Sequence, residues 1–218
     1  MDKKYLLFDL DGTLTDPQEG ITNSVAYALR QYGIIEDPKN LIRFIGPPLH
    51  VSFHDWYGFD EDKAFEAVAH YRVYFGDKGI FENAVFDGIP EMLCDLRAAG
   101  FTLVLATSKP EVYAKQILEH FDLAKYFHHI CGATMDASRS RKADVITYAL
   151  ETAGITDKAQ AVMVGDRHHD IEGGIENGLE TVGVLFGYGS REELNKAGAH
   201  HIVSTVSELH TLLKGESL

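Results

Sequence analysis

The sequence has few cysteines, a shortage of basic residues and no long apolar run. Two cysteines, Cys94 and Cys131, occur in 218 residues. We expect both to be small buried side chains, because structural disulfides are rare in reducing compartments. Since no run of about 18 apolar residues occurs, no membrane-spanning helix is predicted. The first residues lack the apolar stretch of a signal peptide, so we expect a soluble cytoplasmic protein.

The charge balance is strongly acidic. Lysine and arginine total 20 against 33 aspartates and glutamates, which gives a formal net charge of −13. This excess disfavours nucleic-acid polymers and anionic membranes as partners. It is compatible with a small anionic metabolite, since a divalent cation and a few lysines reverse the sign locally. The 11 histidines lack HExxH spacing, so no histidine-bound metal is predicted. Monomer and homodimer both stay open.

The pattern of apolar residues changes along the chain. After residue 85, strand-like runs at 101–106, 161–164 and 181–185 alternate with helical patterns near 110–120, 140–153 and 168–177. This alternation predicts an α/β fold with a doubly wound, mostly parallel sheet. Between residues 17 and 84 apolar side chains recur at helical spacing, as in Ile21, Val25, Ala28, Leu29 and Tyr32, and in Ala64, Phe65, Val68, Tyr71 and Phe75.

We therefore predict two domains. An α/β catalytic core comprises residues 1–16 and 85–218, and a small all-helical cap, 17–84, is inserted after the first strand. The helices of the cap are expected to break near Gly33, Pro47-Pro48 and Gly58. An insertion at this place is expected over the carboxyl ends of the strands, where open α/β sheets bind ligands.

The most informative motif follows the first apolar strand. Asp9 and Asp11 are separated by one residue, so both carboxylates can face one site as the strand ends. Gly12 then permits a sharp turn. Two adjacent carboxylates repel each other, which suits one ionised nucleophile and one general acid/base, or a bound cation. A strand that simply ends in an Asp-Gly turn is the alternative.

Three further polar clusters stand at or near predicted strand ends. Thr107, Ser108 and Lys109 precede Pro110, which we place in the first turn of a helix whose free N–H groups would favour an anion. Asp166 and Asp170, four residues apart, offer the hard oxygen ligands that Mg²⁺ prefers. The third cluster is basic and precedes an apolar helix: Arg139, Arg141 and Lys142. Each cluster alone also fits an ordinary cap or solvated turn.

The four clusters in this order resemble the haloacid dehalogenase-like hydrolase superfamily, in its phosphatase branch. The resemblance implies Mg²⁺ and an aspartyl-phosphate intermediate on Asp9, with Asp11 as the general acid/base. The implied catalytic residues are Asp9, Asp11, Thr107 and Lys142. The implied metal ligands are Asp9, Asp11 through its backbone carbonyl, Asp166 and Asp170.

The finer resemblance is to the phosphoglycolate phosphatase-like group and its bacterial 5′-nucleotidase-like branch. The stretches that carry it are 44–49, 106–110, 141–143 and 187–189. Phosphoglycolate, nucleoside monophosphates and sugar phosphates all stay open as substrates. The candidate substrate-binding residues are Ser108, Lys109, Arg43 and Gly46. Arg43 could pair with a second anionic group, and an exposed helix arginine is the alternative.

Three other functions were weighed against hydrolysis of a phosphomonoester. A phosphosugar mutase of the same superfamily often has a different residue at the position of Thr13. A non-enzymatic receiver domain, phosphorylated on aspartate, lacks a helical insertion of roughly 70 residues and usually has about half this length. Phosphonate or haloacid cleavage typically lacks aspartate at the position of Asp11. Hydrolysis of small phosphomonoesters is therefore favoured.

Overall fold

The computed structural model describes residues 3–215. Within them the chain forms two compact units, which divide after Asp16 and again after Ala84. We call 17–84 the helical unit and the remainder the sheet unit. None of the helices in the described part of the chain has both the length and the apolar content that crossing a membrane requires.

The strands of the sheet unit form a parallel sheet. In chain order the strands are β1 (Tyr5–Phe8), β2 (Thr15–Asp16), β3 (Ala84–Val85), β4 (Thr102–Pro110), β5 (His129–Ala133), β6 (Ala161–Gly165), β7 (Glu180–Val184) and β8 (His201–Val203). Six of them pair in the order β5-β4-β1-β6-β7-β8, with parallel neighbours throughout, and β2 pairs with β3.

Helices connect these strands and make up most of the helical unit. The latter contains α1 (Gln18–Arg30), α2 (Pro38–Leu41), α3 (Leu49–Tyr57), α4 (Glu61–Tyr74) and a π-helical turn, Phe75–Gly79. The sheet unit contains α5 (Ile89–Ala98), α6 (Glu111–His120), α7 (Lys142–Thr152), α8 (His168–Glu176), α9 (Arg191–Lys196) and α10 (Val206–Leu213). The predicted α/β fold with a helical insertion is confirmed.

The strand β1 lies at the centre of the sheet because its side chains are apolar in succession. Leu6, Leu7 and Phe8 are completely buried, as expected of a parallel strand that is covered on both faces. Its neighbours β4 and β6 pair with it residue for residue from Tyr5 to Phe8. The carboxyl ends of these three strands therefore meet at one edge, which is the edge predicted to hold the site.

Close backbone contact holds the helical unit together. The side chains of α1 that recur at helical spacing, among them Val25 and Leu29, are buried. Gly20 lies in the first turn of α1, just before this predicted stripe, and a Cβ at this residue would lie 1.9 Å from the carbonyl oxygen of Gly79. The helix and the π-helical turn approach so closely that only glycine fits at Gly20.

Two predictions about individual residues are wrong, and a third residue lies outside the buried face of the helix in which the sequence correctly places it. Pro110 is the last residue of β4 and not part of α6, because β4 continues past a register shift between Thr107 and Pro110. Cys94 is exposed, since the buried stripe of α5 is formed by Ile89, Met92, Leu93 and Leu96. Phe65 lies outside the buried face of α4 and stacks on His50 with ring centroids 5.1 Å apart.

Shortening a core side chain of the helical unit should destabilise this unit measurably. Leu29 is completely buried, so we expect Leu29→Ala to lower the free energy of unfolding by about 2–5 kcal/mol. The chain's single tryptophan, Trp56, lies in α3, and its fluorescence during urea unfolding reports on this unit. Ile35 is 90% exposed, so Ile35→Ala should change the free energy by no more than about 0.5 kcal/mol. Equal effects of the two substitutions would contradict the packing described here.

Candidate active site

Asp9 and Asp11 lie in a tight turn directly after β1. The Asp9 N–H still donates to the Val164 carbonyl at 2.9 Å, so the residue continues the pairing of β1 with β6. The chain then reverses at Gly12, whose φ of +83° is in the left-handed region. The Gly12 N–H donates to the Thr15 carbonyl at 2.8 Å and closes the turn. Asp9 is buried as a result, although its carboxyl group is polar.

Lys142, the first residue of α7, joins two of the predicted carboxylates. Its Nζ lies 2.6 Å from Asp9 Oδ1 and 2.7 Å from Asp170 Oδ1, and its side chain is only 4% exposed. The two carboxylates raise the pKa of Lys142 against the opposing effect of burial. The ammonium group therefore stays charged and fixes both carboxylates in one place.

Asp166 and Asp170 complete the cluster from the neighbouring strand. Asp166 follows the end of β6, and its Oδ2 accepts the Tyr188 N–H at 2.8 Å. Asp170 lies in the first turn of α8, and its Oδ2 accepts the Arg167 N–H at 3.0 Å. One carboxylate oxygen from each of Asp9, Asp166 and Asp170 lies within 4.8 Å of the others. The structure thus brings together residues that are far apart in the sequence.

Glycines allow the backbone to approach Asp166 from two directions. A Cβ at Gly12 would lie 2.3 Å from Asp166 Oδ2. A Cβ at Gly187 would lie 2.2 Å from the Gly12 carbonyl oxygen and 2.5 Å from Asp166 Cβ. At Gly189 it would lie 1.9 Å from the Asp166 carbonyl oxygen. Any side chain at these positions would displace the carboxylate or the loop that holds it.

The residues present fit a divalent cation. Asp166 Oδ1 is buried and has no hydrogen-bond partner among residues 3–215, which is costly unless something binds there. When all four are ionised, Asp9, Asp11, Asp166 and Asp170 carry two more negative charges than Lys109 and Lys142 carry positive ones. Burial raises the pKa of Asp9, and it raises the pKa of Asp166 far above its usual range. Oxygen ligands, charge and the unsatisfied atom all suit Mg²⁺.

Lys109 pairs with Asp11, a contact that the sequence did not reveal. Its Nζ lies 2.6 Å from Asp11 Oδ2, and its side chain is 5% exposed. Burial raises the pKa of Asp11 although Lys109 opposes this shift. The other oxygen, Asp11 Oδ1, is buried with no hydrogen-bond partner among the described residues. Lys109 therefore orients one carboxylate oxygen and leaves the second one for another role.

The hydroxyl of Thr107 also faces a defined partner. Thr107 is buried, and its Oγ1 accepts the Lys109 N–H at 3.2 Å. This bond shapes the end of β4 and leaves the hydroxyl proton of Thr107 available for donation. Ser108, between them, is half-buried.

The basic cluster before α7 separates into different roles. Arg139 donates from Nε and Nη2 to the Gly132 carbonyl at 3.2 and 3.0 Å. Arg141 pairs with the exposed Glu176 at 2.8 Å. Lys142 is the member of the cluster that contacts Asp9.

The two candidate substrate-binding residues of the helical unit have a different environment. The Arg43 guanidinium lies 4.8 Å from the ring centre of Trp56 and 5.7 Å from that of Tyr57. Gly46 adopts a φ of +107° in the turn before α3. The predicted substrate contacts of Arg43 and Gly46 stay predictions.

Tyr188 was missed as a site residue. Its phenol hydroxyl donates to Asp16, while its backbone N–H donates to Asp166. In the sequence, residues 187–189 stand out only through the family resemblance, and their two glycines are the available signal. Two small residues that flank an aromatic one after a strand indicate close backbone packing.

Comparison with known proteins assigns this arrangement to a family. The model of the family described as haloacid dehalogenase-like hydrolase matches residues 6–184. The chain belongs to this family. A 5′-nucleotidase from Pseudomonas aeruginosa is 46% identical over 210 residues, which cover 96% of this chain and 95% of that protein. The protein named tyrosine-protein kinase PtkA from Mycobacterium tuberculosis is 39% identical over 96% of this chain and 72% of its own.

The solved structures agree with this assignment. The crystal structure of a predicted phosphatase from Clostridium acetobutylicum has a TM-score of 0.95 and 51% sequence identity, and covers 98% of this chain and 99% of that one. The predicted assignment to the phosphatases of this family is confirmed. The protein is an enzyme, a hydrolase of phosphoric monoesters.

The raised carboxyl pKa values predict how stability depends on pH without metal. The unfolded chain releases the Asp166 proton near pH 4, whereas the folded protein retains it to higher pH. The free energy of unfolding should therefore fall as the pH rises above about 4, until it passes the folded pKa. The measurement is the free energy of unfolding in EDTA at pH 5 and at pH 7.5. We expect this free energy to fall more between the two pH values in the wild type than in Asp166→Asn. Mg²⁺ should reverse the fall in the wild type.

Asp87→Asn is the matched control, since Asp87 is exposed. It should retain the wild-type pH dependence. The explanation is wrong if Asp166→Asn leaves the difference between the two pH values unchanged.

Proposed function

We propose that the protein is a Mg²⁺-dependent phosphatase of small phosphomonoesters, with Asp9 as its nucleophile. The observation that carries the proposal is the buried Asp9, which lies 2.6 Å from Lys142 and within 4.8 Å of oxygens of Asp166 and Asp170. The ammonium group orients this carboxylate and favours its ionised form against the effect of burial, and the carboxylate lies next to a cation site. Those are the requirements of a nucleophile that must approach an anionic phosphate.

The cation would be held by Asp9, Asp166, Asp170 and, as the family resemblance implies, the backbone carbonyl of Asp11. Bound Mg²⁺ would neutralise negative charge on the phosphate and on the attacking carboxylate. The protein's own groups bind the remaining phosphate oxygens and transfer the protons. Lys142 balances part of the carboxylate charge and can hold a phosphate oxygen. Thr107 and Ser108 lie at the end of β4, where hydroxyl and N–H groups can bind the other oxygens.

The first chemical step breaks the ester bond. An oxygen of Asp9 attacks phosphorus in line with the leaving oxygen, and an acyl phosphate forms on Asp9. The leaving alkoxide takes a proton from Asp11, which must be protonated at this moment. Burial supports this role, because it raises the pKa of Asp11 and keeps a proton on the carboxyl at higher pH than usual.

The second step returns Asp9 to its starting state. Water attacks the phosphorus of the acyl phosphate, Asp11 accepts the proton of that water, and inorganic phosphate leaves. Asp11 thus ends the cycle protonated, as it began. Lys109 stays bonded to Asp11 Oδ2, so the proton moves at Oδ1, the oxygen left without a hydrogen-bond partner among the described residues.

Nucleoside 5′-monophosphates are the proposed substrates. The support is the identity of 46%, over nearly the full length of both chains, with the protein named 5′-nucleotidase. The net charge of −13 supports a small anionic metabolite over a nucleic-acid polymer as the partner. The test is phosphate release from nucleoside monophosphates, phosphoglycolate and sugar phosphates, compared by kcat/KM.

Each outcome of that screen has a distinct meaning. A higher kcat/KM for phosphoglycolate than for every nucleotide would overturn the proposed substrate class. An isomerised sugar phosphate without free phosphate would indicate a mutase. Hydrolysis of p-nitrophenyl phosphate in Mg²⁺, and none in EDTA, would exclude a receiver domain that only accepts phosphate.

Removing the nucleophile should abolish turnover without unfolding the protein. We expect Asp9→Asn to lose phosphate release to the detection limit, because an amide oxygen does not form the acyl phosphate. The measurement is steady-state phosphate release, with circular dichroism to verify the fold. Asp87→Asn, at an exposed aspartate of the same unit, should keep full activity. Substantial turnover by pure, folded Asp9→Asn would refute Asp9 as the nucleophile.

Removing the acid should have an effect that depends on the leaving group. With an alkyl phosphate such as a nucleotide, Asp11→Asn should lower kcat/KM by about 10²–10⁴-fold, since the alkoxide needs a proton. With p-nitrophenyl phosphate the loss should be smaller, because p-nitrophenolate leaves without one. Equal losses for both substrates would argue against protonation of the leaving group by Asp11.

A further inference from the structure

A second group of potential metal ligands lies at the start of α8. One ligand atom from each of His168, His169 and Glu172 lies within 4.8 Å of the other two. His168 and Glu172 are four residues apart in the helix and so share one face. These residues play no part in the phosphatase mechanism above. Unlike the buried aspartates, the two histidines are half-buried and Glu172 is exposed, so a cation can reach them from solvent.

His168 is held by a carboxylate in the way that metal-binding histidines usually are. Its Nδ1 lies 2.8 Å from Glu193 Oε1. That same oxygen accepts the His168 backbone N–H at 2.9 Å and Arg167 Nε at 2.8 Å. With Glu193 as the acceptor, the ring proton lies on Nδ1, and Nε2 keeps its lone pair. A carboxylate that bonds to the other ring nitrogen fixes the tautomer and the ring orientation of a ligand histidine.

The chemistry of the three side chains selects the kind of metal. Two imidazoles and one carboxylate suit Zn²⁺ and its neighbours Ni²⁺ and Cu²⁺, whereas Mg²⁺ and Ca²⁺ prefer oxygen ligands alone. One ring nitrogen of His168 lies within 4.8 Å of one of His169, which is close enough for both to bind one ion. The net charge of −13 favours cations near the surface.

We propose that His168, His169 and Glu172 form a second metal site, which binds Zn²⁺ or a similar first-row transition-metal ion. The site is distinct from the aspartate cluster in its ligands and its exposure. Asp170 stands between these ligands in the first turn of α8. An ion bound there would therefore hold the turn that carries one of the proposed Mg²⁺ ligands. The binding itself does not depend on the proposed function.

The test measures bound zinc directly. The protein is dialysed against low Zn²⁺ with Mg²⁺ in large excess, so that Mg²⁺ occupies the aspartate cluster. Zinc per chain is then determined by elemental analysis. We expect one Zn²⁺ per chain in the wild type. His169→Gln and Glu172→Gln should each weaken zinc binding by at least about tenfold. Co²⁺ in place of Zn²⁺ should give visible absorption bands that weaken in the same two variants.

Two control variants locate the ion. Glu176→Gln removes an exposed carboxylate one turn further along α8, and Asp9→Asn removes a ligand of the aspartate cluster. Both should bind zinc as the wild type does. Because Glu172 is exposed, Glu172→Gln keeps the test valid even if a histidine variant fails to fold. The proposal is overturned if zinc binding is lost in Asp9→Asn and kept in Glu172→Gln, or if the wild type binds no zinc.

Discussion

Lys142 lies between two buried carboxylates, and the arrangement of the site depends on that ion pair. Burying Asp9 or Asp170 alone would cost several kcal/mol, and the ammonium group at 2.6 and 2.7 Å offsets much of this cost. Lys142 and Lys109 together cannot balance four ionised aspartates, however. The remaining negative charge creates a strong attraction for a divalent ion. The same electrostatic constraint thus stabilises the fold locally and prepares the site for metal and phosphate.

The parallel sheet made the main features predictable from sequence. Asp9, Thr107 and Asp166 each stand at the end of an apolar strand run, and the strands β1, β4 and β6 are neighbours. The rule that parallel strands end at one edge is sufficient to group these residues from the sequence alone. Lys142 came instead from the family resemblance, since its position before an apolar helix also fitted a solvated turn.

What the sequence did not reveal depends on local geometry. Lys109 reaches Asp11 because β4 continues through a register shift to Pro110. No pattern of residues in the sequence predicts such a shift. Cys94 is exposed because helical phase, not residue type, decides which side of α5 it occupies. Tyr188 contacts Asp16, which lies 172 residues away in the chain, and also donates its N–H to Asp166. Contacts of this kind follow from packing and not from spacing.

The glycines around Asp166 have a consequence for how this enzyme could acquire new substrates. Gly12, Gly187 and Gly189 bring backbone so near to Asp166 that no side chain fits at any of them. Natural and directed evolution are both expected to retain glycine at these positions, because any side chain there would displace Asp166, which serves every substrate. Diversification must therefore arise on surfaces where side chains can be exchanged freely.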